Sequence, residues 1–142
     1  MKVNAVFPVL MTDRLAESRD FYADLLGMRI AFEADWYVQL LSSTTPAAQL
    51  GLVASDHESV PPVFRRRAAG VLVTIEVEDV DAVYGHAQAR CLPIQLSLRD
   101  EDWGQRHFIT HDPNEVAVDV VQVIPVTSEE AASHYASDLL PG

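Results

Sequence analysis

Apolar and polar positions in the first half of the chain predict a strand, a helix and three further strands. The apolar run Asn4–Met11 indicates a strand, and Pro8 must face an edge or a bulge because proline cannot donate to a ladder. Asp13 is the expected N-cap of the helix, with Thr12 as the alternative, and Gly27 suits a left-handed C-terminal cap. The apolar side of this helix has four positions at helical spacing, Leu15, Ser18, Tyr22 and Leu25. The following strands are expected at Arg29–Glu33, Trp36–Ser42 and Gln49–Ala54, joined by the turns ADW and STTPAA.

The second half repeats this order after a segment of different composition. Residues 56–69 are rich in proline, serine and charge, which is typical of a linker, and the run Arg65–Arg67 is expected to be solvated rather than an anion site. Asp79 or Asp81 caps the second helix, whose apolar positions are Val80, Val83, Tyr84 and Ala87. Its strands are expected at Val71–Val77, Pro93–Leu98, Arg106–Thr110 and Val116–Val123.

The tail after residue 124 predicts one more short helix. The sequence TSEE at Thr127–Glu130 is a capping box. The apolar side of the helix is expected to consist of Ala131, Ala132, Tyr135 and Leu139.

Charge and cysteine content exclude several classes of function. The 142 residues carry a net charge of −11, with 21 acidic and 10 basic side chains, so neither a nucleic-acid binder nor a protein docked on anionic lipid is expected. The same balance weakly favours a cationic small-molecule ligand. Cys91 is the single cysteine, which excludes an intramolecular disulfide and a cysteine zinc cluster. Without an apolar run of membrane-spanning length or a signal peptide, a soluble cytoplasmic protein is expected.

Three stretches carry a resemblance to a known family. They are DRLAESRDFYADLLG, VEDVDAVYGHAQARCLPI and WGQRHFITHDPNEVAVDVVQ, set in a duplicated βαβββ pattern. The chain thereby resembles the vicinal-oxygen-chelate superfamily, which includes glyoxalase I, extradiol dioxygenases, fosfomycin-resistance enzymes and bleomycin-binding resistance proteins. The resemblance implies an α+β fold in which two βαβββ units form curled half-barrels around a cup. We expect one domain over residues 1–142, with units at 4–55 and 70–124, the linker at 56–69 and the tail at 125–142.

Two positions depart from the family pattern. The family usually has glycine where this chain has Cys91, after the second helix, and where it has Glu115, in the sequence DPNE. Both positions favour a positive φ, where another residue costs about 1 kcal/mol. We therefore expect the two turns to be adjusted in shape.

The resemblance also implies a divalent metal held by His, Gln and Glu side chains. The four implied ligand positions fall on Phe7, near Gly51, on Gly70 or Val71, and on Asp119. Only Asp119 has a side chain that binds a metal usefully, and one carboxylate is insufficient. We therefore expect no metal and no cofactor, as in the metal-free bleomycin-binding proteins. The other histidines are expected at the surface, at positions 57, 86, 111 and 134.

Strand alternation predicts which residues face the cup. A hairpin turning near Pro113 gives paired residue numbers that sum to about 227, which brings His107 opposite Asp119 or its neighbour. Trp103 precedes this hairpin and is expected at the mouth. The expected ligand-binding residues are Phe7, Val9, Tyr37, Gln39, Trp103, His107, Ile109 and Asp119. Alternatively, His107 and Asp119 form only a structural pair, Phe7 is core and Trp103 covers the hairpin.

Two classes of function remain open at this stage. The leading hypothesis is a homodimeric protein that binds and sequesters a small aromatic or cationic molecule without a metal, as in antibiotic resistance or self-immunity. The alternative is a lyase, isomerase or dioxygenase of the same superfamily. It would act without a metal through His107 and Asp119, because a carboxylate-bound histidine is a plausible general base, or with a divalent metal on unexpected ligands.

Overall fold

The computed structural model describes residues 1–45 and 47–140, and its element order confirms the α+β prediction of two βαβββ units and a final helix. The first unit contains β1 (Val9–Thr12), α1 (Leu15–Leu26), β2 (Arg29–Glu33), β3 (Tyr37–Leu41) and β4 (Gln49–Ala54). The second contains β5 (Leu72–Glu76), α2 (Val80–Ala89), β6 (Leu96–Glu101), β7 (Gln105–His111) and β8 (Ala117–Val123), and α3 (Glu129–His134) follows. Pro46 of the predicted STTPAA turn, and Pro141 and Gly142 of the predicted tail, lie outside the described residues.

Each unit contains a curled four-stranded sheet of the same topology. The strand order is β1-β4-β3-β2 in the first sheet and β5-β8-β7-β6 in the second. In both sheets the first strand pairs in parallel with the last strand of its unit, and the other pairs are antiparallel. The repeated hydrophobic pattern of the sequence therefore corresponds to a repeated sheet.

The chain divides into two compact units, each with its own core. One contains residues 1–71 and 112–116, and the other contains residues 72–111 and the chain from 117 onward. In the first, α1 packs on β3 and β4; in the second, α2 packs on β7 and β8. Fully buried side chains of these cores include Tyr22, Val38, Leu40 and Leu52 in the first and Val80, Phe108, Val118 and Val120 in the second.

A buried polar network connects α1 with the turn at residues 112–116 inside the first unit. The Tyr22 hydroxyl donates to Asp112 Oδ2 at 2.8 Å, and Thr12 Oγ1 donates to Asn114 Oδ1 at 2.5 Å. The Asn114 amide donates to Ser18 Oγ at 2.9 Å. Buried polar groups require such partners because an unpaired one costs about 1–3 kcal/mol. Burial raises the pKa of Tyr22, and its bond to Asp112 acts in the same direction, so the phenol remains a donor.

The first strand is shorter than predicted. β1 begins at Val9 rather than Asn4, and Phe7 lies before it. Pro8 accepts a hydrogen bond from the Gly51 N–H at 2.9 Å but has no N–H to donate. β1 is an edge strand, as Pro8 requires. Trp36 and Ser42 likewise lie one residue outside β3.

Both ends of β6 differ from the prediction by three residues, since the strand lies at Leu96–Glu101 rather than Pro93–Leu98. The Pro93 carbonyl is instead taken by the Thr110 hydroxyl at 2.7 Å, ahead of the ladder. The end of the strand, Arg99 to Glu101, consists of three charged residues, a composition that does not predict a strand. In the sheet these charges are paired, Arg99 with Glu101 and Asp100 with Arg106.

The helix caps agree only partly with the predictions. Gly27 has a φ of 63° and ends α1, and Asp79 Oδ1 accepts the Ala82 N–H at 3.0 Å to cap α2, so both predictions are confirmed. α3 is capped by Ser128, one residue after the position that the TSEE box indicates. It ends at His134, so the predicted apolar positions Tyr135 and Leu139 lie beyond it.

The predicted cap of α1 is wrong. The N-cap residue is Arg14, and its side chain makes no capping bond. Thr12 Oγ1 accepts the Arg14 N–H at 2.8 Å instead. Asp13 is held by the Arg67 guanidinium through two bonds of 3.2 and 3.0 Å, and this ion pair keeps the pKa of Asp13 below its usual range.

The two positions where glycine was expected do adopt left-handed backbone. Cys91 has a φ of 55° and Glu115 a φ of 63°. After α2, the Cys91 N–H bonds to the Gln88 carbonyl and the Leu92 N–H to the Ala87 carbonyl, both at 3.0 Å. These two bonds form a Schellman motif. The expectation of reshaped turns is wrong, because these bonds retain the left-handed turn despite its conformational cost.

Within the described part of the chain, no helix combines the length and apolar character that crossing a bilayer requires.

Candidate functional site

Three of the predicted site residues share one face of the first sheet. The register pairs Val9 with Gly51, Gly51 with Gln39, and Tyr37 with Val53. Cross-strand partners share a face and alternate residues return to it, so Val9, Gln39 and Tyr37 lie on the same side. Phe7 precedes β1, has no position in this register and is 38% exposed.

A chain of side-chain hydrogen bonds runs across this face. The Tyr37 hydroxyl donates to Gln39 Oε1 at 2.5 Å, and the Gln39 amide donates to Gln49 Oε1 at 2.8 Å. Burial raises the pKa of Tyr37, so its phenol stays protonated and serves as the donor. A Cβ placed on Gly51 would lie 2.5 Å from the Tyr37 oxygen. The phenol therefore occupies the space that a side chain at position 51 would need.

An aromatic pocket opens beside this polar chain, entirely within the first unit. It has a volume of about 430 Å³. The lining residues are Val9, Phe32, Trp36, Tyr37, Val53, Ser59 and Val60. Of these, only Val9 and Tyr37 were predicted. Phe32 was missed because a register shift between Ile30 and Phe32 breaks the alternation of β2. Ser59 and Val60 were missed because their segment has the composition of a solvated linker.

One face of the Trp36 ring is covered by a histidine. The His57 ring stacks on Trp36 with centroids 4.0 Å apart and planes inclined by 10°. His57 Nδ1 lies 2.8 Å from Ser59 Oγ, so the stacked ring is also tied to the pocket wall. His57 was expected at the surface, and its stacking on Trp36 was not predicted. The only feature of the sequence that could have indicated this contact is the tryptophan in the ADW turn.

Two arginines of the linker make contacts within the first unit. Arg65 Nε donates to the Val60 carbonyl at 2.7 Å, and Arg67 pairs with Asp13. Both therefore make structural contacts rather than only facing solvent.

The second sheet also brings three predicted residues to one face. The register pairs His107 with Val121 and Ile109 with Asp119. His107 is thus diagonal to Asp119 rather than directly opposite, one position from the predicted pairing. His107 Nδ1 nevertheless lies 2.7 Å from Asp119 Oδ1, and the two residues are only 6% and 7% exposed.

A second carboxylate faces the other nitrogen of the same ring. His107 Nε2 lies 3.2 Å from Glu101 Oε1, and Arg99 pairs with Glu101 from the solvent side. The Arg99 bond, followed by the His107 bond, lowers the pKa of Glu101. An ionised carboxylate only accepts hydrogen bonds, so the contacts with Asp119 and Glu101 are both hydrogen bonds only when Nδ1 and Nε2 each carry a proton. Glu101 was missed because the predicted β6 ended at Leu98.

Trp103 follows β6 and links this cluster to the tail. Its ring meets the His107 ring edge-on with centroids 6.4 Å apart, and its indole N–H donates to Gln105 Oε1 at 2.9 Å. Tyr135 donates from its hydroxyl to the Trp103 carbonyl at 2.6 Å. Trp103 remains 41% exposed. It therefore makes the structural contacts expected of a residue that covers the hairpin, and it also leaves ring surface accessible to a ligand.

The residues at the implied ligand positions do not fit a metal of the expected kind. Phe7, Gly51, Gly70 and Val71 offer no ligand side chain, and space at Gly51 is taken by the Tyr37 phenol. The β5 residue paired with Asp119 is Thr74, and Asp119 itself is bonded to His107. Among residues 1–45 and 47–140, no group of three or more His, Cys, Asp or Glu side chains is arranged to hold a metal ion.

Comparisons with known proteins identify the type of fold. Residues 4–120 match the sequence profile described as Glyoxalase/Bleomycin resistance protein/Dioxygenase superfamily. No curated protein matches the sequence significantly. A lactoylglutathione lyase from Agrobacterium tumefaciens superposes with a TM-score of 0.66 at 20% identity, covering 86% of this chain and 96% of that one. TnmS3, an antibiotic binding protein from Streptomyces sp. CB03234, gives a TM-score of 0.70 at 16% identity, covering 86% and 97%. At these identities the superpositions establish the fold.

Proposed function

This chain belongs to the Glyoxalase/Bleomycin resistance protein/Dioxygenase superfamily, and within it we propose that the protein binds and sequesters a small aromatic or cationic molecule without a metal. The observation that carries the proposal is the aromatic pocket of the first unit, whose wall includes the Tyr37 phenol in the space beside Gly51. The resemblance implies a metal ligand near Gly51, and in this chain the Tyr37 phenol occupies that space and lines the pocket. The antibiotic-binding character of a structural neighbour supports an antibiotic-resistance version of this role.

The pocket has the size and chemistry of a ligand site. Its volume of about 430 Å³ lies within the range of roughly 300–1,000 Å³ that is typical of small-molecule pockets. Phe32, Trp36 and Tyr37 provide flat apolar walls, which favour an aromatic ring through offset or edge-on stacking. Ser59 is the one hydroxyl of the lining that is not phenolic, and it is well placed to orient a polar substituent.

The second candidate is metal-free proton transfer, and the buried pair His107–Asp119 is the observation that favours it. A carboxylate on Nδ1 orients an imidazole and stabilises its protonated form. The difficulty is Nε2, which faces Glu101 rather than an open position. Glu101 would have to move before this nitrogen could take a proton from a substrate. We therefore rank binding above catalysis, and a metal held by unexpected ligands below both.

We further propose that the protein acts as a cytoplasmic homodimer. β2 is an edge strand of the first sheet, and all five of its residues are exposed, including Ile30 and Phe32. Exposed apolar edge strands are usually covered, because they otherwise invite aggregation. A second copy of the chain would provide that cover.

The test is a thermal-shift screen of aromatic amines and neutral aromatic compounds, followed by titration of the best compound. At a concentration of about 100 times Kd, binding stabilises the folded state by about 2.7 kcal/mol, which raises the Tm by about 5–10 °C for a chain of this size. Phe32→Ala should weaken binding about tenfold, since it removes roughly half of a buried aromatic contact. The matched control is Phe64→Ala, because Phe64 is 53% exposed, as Phe32 is 52%, but does not line the pocket.

Equal weakening by Phe32→Ala and Phe64→Ala would contradict the assignment of the pocket. Mass spectrometry of the recovered compound then separates the two functions. Unchanged compound supports sequestration, whereas conversion by the wild type that is lost in His107→Gln supports the enzyme. Elemental analysis showing one tightly bound transition metal per chain would overturn the metal-free part of the proposal.

A further inference from the structure

A second pocket lies in the second unit, between the turn that follows β6 and the helix α3. Its volume is also about 430 Å³. The lining residues are Asp102, Trp103, Glu130, Ala131, His134 and Tyr135. Except for Trp103, none of these was predicted to contact a ligand, and the first-unit pocket shares no lining residue with it.

The tail is held against the hairpin by hydrogen bonds, so this pocket has fixed walls. The Thr127 N–H bonds to the Asp102 carbonyl at 2.9 Å, and the Ile124 N–H bonds to the Gly104 carbonyl at 2.9 Å. Gly104 has a φ of 104°, and a Cβ there would lie 3.0 Å from the Ile124 carbonyl oxygen. The close approach of the tail therefore depends on glycine at this position.

The two aromatic walls are fixed independently of the backbone bonds. The indole N–H of Trp103 donates to Gln105, and the Tyr135 hydroxyl donates to the Trp103 carbonyl. Ring orientation is thus set before a ligand enters, which reduces the entropy lost on binding. Ala131 contributes only a methyl group to the lining.

The charge of the lining selects the ligand. Asp102 and Glu130 carry carboxylates, and none of the six lining residues is Lys or Arg. The lining also contains the His134 imidazole, so its two carboxylates face at most one positive charge, and the pocket favours a cation over an anion. Aromatic faces attract organic cations through the quadrupole of the ring. Carboxylates beside aromatic rings therefore favour a cation that has an apolar body.

We infer that the pocket formed by Trp103, Tyr135, Asp102 and Glu130 binds an organic monocation, a quaternary or primary amine carried on an apolar group. Glu130 supplies the counter-charge from α3, and the Trp103 ring stacks on the cationic head. This site is separate from the aromatic pocket of the first unit and does not depend on that assignment.

The experiment follows tryptophan fluorescence with benzyltrimethylammonium as the probe. Trp36 and Trp103 are the only tryptophans, so a Trp36→Phe protein reports on Trp103 alone. We expect saturable quenching by the probe, and binding of benzyl alcohol, the neutral comparison, at least tenfold weaker. Glu130→Gln should weaken binding of the cation by up to about fivefold, the range for an ion pair at an exposed carboxylate. Asp102→Asn provides a second variant on the other wall.

The matched control is Glu129→Gln, which makes the same change in charge on the same helix at a residue that does not line the pocket. Retained affinity in Glu129→Gln, with loss in Glu130→Gln or Asp102→Asn, supports the site. Equal loss in Glu129→Gln would show attraction to the acidic surface as a whole and would overturn it. Quenching that does not saturate, or equal binding of benzyl alcohol, would also overturn it. Phe32→Ala should leave the titration unchanged, which separates this result from the fate of the first pocket.

Discussion

Replacing Gly51 by alanine tests whether the Tyr37 phenol fills the space at this position. An added Cβ would lie 2.5 Å from the Tyr37 oxygen and 2.9 Å from Val9 Cγ2. Both distances are shorter than a carbon atom tolerates, so the phenol ring or the edge strand must move. Movement of the ring breaks the bond from Tyr37 to Gln39, and the polar chain across the sheet is lost with it.

The expected cost follows from two opposing effects. Overpacking of this kind destabilises by about 1–3 kcal/mol. Alanine also reduces the conformational entropy of the unfolded chain relative to glycine, which stabilises the folded state by about 0.4–1 kcal/mol. Gly51→Ala should therefore lower the free energy of unfolding by about 1–2 kcal/mol. In a Tyr37→Phe protein the shortest contact is absent, so the same change should cost about 1 kcal/mol less.

The assay is urea unfolding of the wild type, both single variants and the double variant. The double-mutant cycle isolates the coupling between positions 37 and 51, and the m-value should not change. Gly85→Ala is the control, because a Cβ on Gly85 meets nothing within 4 Å and lies in α2, where alanine is favoured. That variant should be as stable as the wild type or more stable.

A Gly51→Ala protein as stable as the wild type would refute the argument, as would an equal cost in the Tyr37→Phe background. The same geometry bears on metal binding. A glutamate or histidine introduced at position 51 should bind no metal while Tyr37 is present, because its Cβ meets the phenol first.

Four further predictions address other parts of the molecule. Cys91→Gly should raise the free energy of unfolding by about 0.5–1 kcal/mol, because glycine adopts the left-handed C-terminal turn of α2 without strain; a lower urea midpoint would contradict this. Asp119→Asn should lower it by about 1.5–3 kcal/mol, the value of a hydrogen bond to a charged partner, and an unchanged urea midpoint would show that the bond to His107 contributes nothing. The folded-state pKa of Glu101 lies below its unfolded value of about 4.5, so the stabilisation by this carboxylate is present above that pH and is lost as the pH falls through the folded pKa. Glu101→Gln should therefore make the Tm, followed by thermal unfolding, depend less on pH in this acidic range and nowhere else. Light scattering should give the mass of two chains, and a monomer at tens of micromolar (roughly a working concentration) would count against the proposed dimer.

Much of the fold was predictable because local patterns agreed with the tertiary structure. The spacing of Val80, Val83, Tyr84 and Ala87 after Asp79 predicted α2 and its cap, and strict alternation placed Val9, Tyr37 and Gln39 on one face. Cys91 and Glu115 were correctly identified as positions of positive φ. In each case the sequence signal arises from bonds made within a few residues or within one strand.

The site was harder to predict, because its residues depend on tertiary contacts. Phe32 reaches the pocket through an irregularity in β2, and Ser59 and Val60 do so from a segment that looks like linker. Glu101 was missed because ion pairs allow a charged sequence to continue a strand. The error in pairing His107 had little consequence, because a histidine side chain reaches a diagonal neighbour.

The assignment of residues 112–116 to the first unit has a consequence for how the protein is made. Thr12, Ser18 and Tyr22 find their buried partners at Asp112 and Asn114, between 90 and 102 residues later in the chain. A ribosome must therefore synthesise most of the second half before the first unit can complete its interior. Contacts of such long range slow folding, since a large loop must close before they form. An isolated fragment ending at residue 71 would lack the buried partners Asp112 and Asn114, so gene halves expressed separately should accumulate as aggregates rather than as two small domains.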